Sequence, residues 1–111
     1  MNKQELIAEL ASTQKHAEGR IAKFQAELAK DPAYAFSWAD GAMSAAAEAK
    51  VCKFALAVLE DEAVTVEHVR KEAMAMTMRA ARYPASSSSE VSNAMERKIG
   101  AAWAELLDRL N

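Results

Sequence analysis

Apolar residues recur along most of this chain at alternating intervals of three and four, the spacing of one face of an α-helix. From Lys3 to Ala29, the positions Ile7, Leu10, Gln14, Ala17, Ile21, Phe24 and Leu28 form such a seam, as in one strand of a coiled coil. A helix of that length is about 40 Å long. Gln14 is the one polar residue in the seam, and its long amide can reach water, so a wet position is expected there. Asp31-Pro32 then stops the first helix and starts another. Proline cannot extend a helix but suits a first turn, with Asp31 as the N-cap. So tight a connection predicts two antiparallel neighbours.

The second segment, Pro32 to Glu60, carries two apolar stripes on opposite sides. Phe36, Met43, Ala47, Val51, Phe54 and Val58 form one; Tyr34, Trp38, Gly41, Ala45, Ala49, Cys52, Leu56 and Leu59 form the other. A helix apolar on two sides has to be covered on two sides. Either it is central within the monomer, or the stripe containing Trp38, Gly41, Ala45, Ala49 and Cys52 meets a second chain. Gly41, Ala45 and Ala49 are small and four apart, a spacing that admits a close neighbouring backbone. Asp40-Gly41 is also the expected place for a kink or break, because glycine inside a helix costs roughly 1 kcal/mol relative to alanine.

Thr65 suits the N-cap of a third helix, with Val64 and Val69 as its hydrophobic staple. Val66, Val69, Ala73, Met76 and Ala80 make its core stripe, and Pro84 forbids continuation. Residues 84–89, Pro-Ala-Ser-Ser-Ser-Ser, read as a loop. Ser87 and Glu90 have capping-box spacing, so a fourth helix is expected to start there. Its stripe is Val91, Met95, Ile99, Ala102, Trp103, Leu106 and Leu110. No internal repeat recurs at a fixed period. The expectation is an all-α fold: a single domain, residues 1–111, resembling a four-helix bundle. Two long N-terminal helices form an antiparallel hairpin, followed by two shorter C-terminal ones.

Composition agrees. The hydrophobic share is 51%, much of it alanine, with only three glycines and two prolines in 111 residues, so helix formers dominate and breakers are scarce. A net charge of −2 argues against direct nucleic-acid binding, which normally requires a basic excess. Cys52 is the only cysteine, which rules out an intramolecular disulfide. No signal-peptide core and no membrane span is readable, so a cytoplasmic location without membrane contact is expected.

Candidate chemistry is sparse. His16 and His68 lie on different helices, and no Glu-x-x-His pair or zinc spacing accompanies them. Cys52 sits on an apolar stripe, without the electropositive, partly open setting that a nucleophile needs. The glycines, at 19, 41 and 100, are isolated and build no phosphate loop. The expectation is no catalytic residue, no metal and no cofactor: not an enzyme. The third helix is the better candidate for a partner surface. His68, Lys71, Arg79 and Arg82 fall within about 80° of one another on it, with Arg97 and Lys98 as possible neighbours. Met74 and Met78 lie off its core stripe, and methionine suits adaptable surfaces as well as irregular cores. A helix-turn-helix around 61–64 is a weak signal, because the preceding helix is too long.

Arg82-Tyr83-Pro84, the serine run and Ser92-Asn93-Ala94-Met95-Glu96, together with Trp38-Ala39-Asp40, resemble small helical proteins encoded by phages and prophages. The resemblance implies a mobile-element setting and, by analogy with anti-CRISPR proteins, a non-catalytic inhibitor. Such a protein would bind a component of a host nuclease or defence complex and act by steric occlusion. It carries over no functional residue. The alternatives are a nucleic-acid-associated regulator using the basic strip, and a homo-oligomeric (for example dimeric) phage assembly accessory.

Overall fold

The computed structural model describes residues 1–82 and 90–111; of residues 34–36 and 90–92 only the backbone is described. Four α-helices account for nearly all of the described residues: α1 (Lys3–Lys30), α2 (Ala35–Leu59), α3 (Val66–Ala80) and α4 (Glu90–Leu110). No strand occurs among those residues. The expected loop at 84–89, with its Pro84 stop and Ser87 cap, lies outside them.

Local chemistry explains the helix ends. Asn2 Oδ1 accepts the Glu5 N–H at 2.8 Å, filling one of the donors a helix start leaves unpaired. Asp31 ends α1 with its own backbone extended, and its Oδ1 accepts the Ala33 N–H at 3.0 Å. Pro32–Tyr34 form one tight 3-10 turn before α2 begins, so the second helix starts slightly later than Pro32. At α3, Thr65 Oγ1 accepts the His68 N–H at 3.4 Å, and the Thr65 N–H donates to His68 Nδ1 at 2.8 Å. This is a capping box in which histidine replaces the usual glutamate. Lys3 completes the α2–α3 connection from outside: its Nζ donates to the carbonyls of Asp61 (2.9 Å) and Val64 (2.6 Å).

One core draws on all four helices: Leu6 and Leu10 from α1, Val51 and Cys52 from α2, Val69 and Ala73 from α3, Ile99 and Trp103 from α4. Leu10 and Ala17 of the expected seam are buried, while Leu6, 1% exposed, is covered more deeply than the expected Ile7, which is half-buried. Gln14 is half-buried, as are Ile21, Phe24 and Leu28.

Within the single chain α2 is covered in part on two sides. It packs closely against α1 on one side and against α4 on another. Both stripes contain fully buried residues, Ala47 and Val51 in one, Ala45, Cys52 and Leu59 in the other. Asp40-Gly41 neither breaks nor ends the helix, which is continuous from Ala35 to Leu59. No neighbouring backbone comes close at Gly41, where an added Cβ would meet nothing within 4 Å. The close approach is elsewhere: Gly100 of α4 is buried against Ala80 of α3, whose methyl a Cβ there would overlap.

Polar pairs tie the helices at the surface. Arg20 of α1 meets Glu48 of α2 at 2.9 Å, Lys98 of α4 meets Asp40 of α2 at 2.7 Å, and Arg109 of α4 meets Glu9 of α1 at 3.2 Å. Exposed pairs of this kind contribute about 0–1 kcal/mol each, so burial rather than charge holds the fold.

A groove between the second and third helices

Helices α2 and α3 are consecutive, yet they scarcely touch; each packs on α4 instead. Two helices resting side by side on a third leave a furrow between them, and α4 forms its floor. Trp103, 3% exposed, lies at the bottom. Phe54 of α2 stands edge-on to it, with ring centroids 5.7 Å apart and planes at 79°. That is the favourable T-shaped arrangement, in which the positive ring edge meets the negative face.

Phe54 itself remains 47% exposed. It belongs to the same stripe as buried Val51, so helical phase predicted both to be covered. What differs is depth: α3 leans on α4 and leaves one side of Phe54 open. The hollow beside it measures about 200 Å³. Val51, Met76, Ile99 and Trp103 line it, and Lys50, Arg79 and Glu96 stand at its edge. A smaller hollow lies on the other side of Phe54, against Val58 and Val69, with Glu72 beside it.

The residues expected on a partner surface are divided by this geometry. Arg79 reaches the groove. Met74 and Met78 are exposed on α3, Met78 to 65%, without lining either hollow. His68 is committed to the Thr65 cap. Lys71 and Arg82 are exposed, as is Arg97 on α4. Lys98 is drawn to α2, bonding Asp40 and Ser44 Oγ (3.1 Å), and so does not extend the strip on α3. Of the proposed dimer stripe, Ala45 and Cys52 are buried inside the monomer, Ala49 is half-buried, and Trp38 and Gly41 are exposed. Lys23 lies 5.8 Å from the centroid of the Trp38 ring, a cation–π distance.

Sequence reasoning did not single out Lys50, Phe54, Met76 or Trp103 as site residues. Phe54 and Trp103 carry core signatures, and nothing in one sequence distinguishes a covered aromatic from a half-covered one.

The single thiol is the first group to consider for reactivity among the described residues. Cys52 borders a cavity of about 20 Å³, room for roughly one water, with Glu48 and Arg109 on its walls. Burial pushes its thiol up from 9.0 to about 11; the negative charge of Glu48 pushes the same way, and Arg109 partly opposes it. A thiol held protonated is a poor nucleophile. Among the described residues no cluster of three His, Cys, Asp or Glu side chains could hold a metal ion, and no helix is long and apolar enough to cross a membrane. A wider depression along Ser12, Lys15, His16, Gly19, Arg20 and Lys23 is the outer face of α1 alone, and encloses nothing.

No protein-family model matches this chain, and neither a curated protein nor a solved structure does so.

Proposed function

We propose that this chain is a non-catalytic binding protein whose working surface is the groove between α2 and α3. One observation carries this reading: a half-exposed phenylalanine stacked edge-on over a buried tryptophan, in an apolar furrow edged by charged side chains. Concave apolar surface with a few polar groups at its edge is where a protein most readily gains binding energy, and aromatic residues dominate such energy at interfaces. The frame is an antiparallel pairing of α1 and α2. It is supported by Lys3 reaching the far end of α2 while Arg20, farther along α1, meets Glu48. A small protein of this kind acts by covering a surface its partner needs. Together with the phage-type segments in the sequence, this makes a mobile-element inhibitor of a host nuclease or defence complex the leading biological setting.

The test is affinity capture of the tagged protein from bacterial lysate at physiological salt, beside the variant Phe54→Arg. The expected result is a stoichiometric protein partner that the variant loses while retaining native helicity by circular dichroism. Recovery of no stoichiometric partner, or equal recovery by the variant, overturns the assignment.

A further inference from the structure

The larger hollow of the groove restricts what can fill it. Its volume, about 200 Å³, exceeds the roughly 150 Å³ cavity known to admit benzene, but falls below the ~300–1,000 Å³ that encloses a whole drug-sized ligand. There is room for one ring-sized group. The hollow beside Val58 and Val69 measures only about 10 Å³ and holds no side chain, so the groove offers a single anchor point. Its walls favour an aromatic anchor. Phe54 lines the larger hollow and is only half covered, so a guest ring would extend the edge-on pair it already makes with Trp103. Met76 adds a polarizable sulfur, which suits the edge of a ring.

Charge is confined to the edge of the hollow, with Lys50 on α2, Arg79 on α3 and Glu96 on α4. None of the three forms an ion pair with another described residue. In a chain of net charge −2, this edge therefore carries an excess of one cation, and its two cations stand on opposite walls. Such an edge draws a partner whose apolar anchor is set among carboxylates. A small free acid has one carboxylate to offer. A peptide segment places one on each side of its anchor, towards both walls.

We infer that the larger hollow takes one aromatic side chain of a partner protein, carried on a segment with acidic residues on both sides of it. Those carboxylates face Lys50 and Arg79 and keep clear of Glu96. This rests on the groove being the binding surface, and adds the chemistry of the partner segment.

Short synthetic peptides test the inference through the amide chemical shifts of the isotopically labelled full chain. The first has a central Trp with Glu on both sides, the second replaces Glu with Lys, and the third replaces Trp with Ala. The first is expected to shift amides around residues 50–54, 76–79 and 96–103, which border the hollow, with a Kd on the order of 0.1–1 mM at low salt. The other two are expected to bind at least roughly tenfold more weakly. Lys50→Glu and Arg79→Glu, both at exposed positions, should each weaken the first peptide about three- to tenfold, and Glu96→Gln should tighten it about two- to threefold. Binding of none of the peptides, equal binding of the Glu and Lys peptides, or indifference to all three substitutions overturns the inference. Phenylpropionate binding as tightly as the first peptide also overturns it, by assigning the hollow to a small free acid. Self-association of the wild type that Phe54→Arg removes, read by sedimentation, overturns it in favour of a second copy. If the peptides fail while Phe54→Arg still loses the captured partner, the groove serves a partner of other chemistry. If Phe54→Arg leaves capture unchanged, the groove reading itself has failed.

Discussion

Replacing Gly100 with alanine places one methyl where α3 and α4 come closest. The site is buried, and the new Cβ would overlap the Ala80 methyl and stand 3.6 Å from the Ala80 Cα. Neither atom can rotate aside, because both methyls are fixed to helical backbone. Restoring a normal carbon–carbon separation of ~3.5–4.0 Å requires the helices to part by on the order of 1–2 Å. α3 packs mainly on α4, so the movement would loosen Val69 and Ala73 from the core. Overpacking of this kind costs about 1–3 kcal/mol, against a gain of about 1 kcal/mol from replacing glycine inside a helix. The expected net effect is a loss of up to about 2 kcal/mol, a fall in Tm of up to roughly 16 °C at the 4–8 °C per kcal/mol typical of a domain near this size. Thermal and urea unfolding followed by circular dichroism measure it. The double variant Gly100→Ala/Ala80→Gly moves the methyl from one helix to the other and should recover most of the loss, giving a coupling of about 1 kcal/mol or more between two contacting residues. A Gly100→Ala protein more stable than the wild type, or a double variant no better than the sum of its parts, would refute the packing argument.

Two further outcomes follow from the same structure. The Cys52 thiol should resist a thiol reagent such as DTNB at pH 8 in the native protein and react at once in urea. Because its folded pKa is raised to about 11 from 9.0, the associated stability is fully present below pH 9 and is lost as pH rises towards 11. The loss is roughly 2–3 kcal/mol at most, and denaturation midpoints that fail to fall more for wild type than for Cys52→Ala across that range would contradict it. Lys3→Met removes two charge-assisted bonds to the carbonyls of Asp61 and Val64. The expected cost is about 1–3 kcal/mol, with faster amide exchange around residues 61–65 than in wild type; an unchanged urea midpoint would show that water replaces the ammonium without penalty.

The amino-acid pattern alone determined the helices and much of their punctuation. The Asp31-Pro32 break, the Thr65 cap and the faces containing Leu10, Val69 and Trp103 were all legible, because capping and periodicity are local properties read within a few residues. It also showed that α2 had to be covered on two sides. Only the tertiary structure decided which helices meet it: α1 and α4 cover part of each side, leaving Trp38 and Phe54 exposed, and α3 settles on α4 rather than on α2. The groove follows from that choice. Val51 and Phe54 share a stripe and a phase, yet one is buried and the other half-open, because helical phase specifies direction and not the distance to the next helix. Gly41 and Gly100 show the same limit. Both are glycines inside helices, but only Gly100 meets a neighbour, and no spacing within its own helix reveals where another helix will cross.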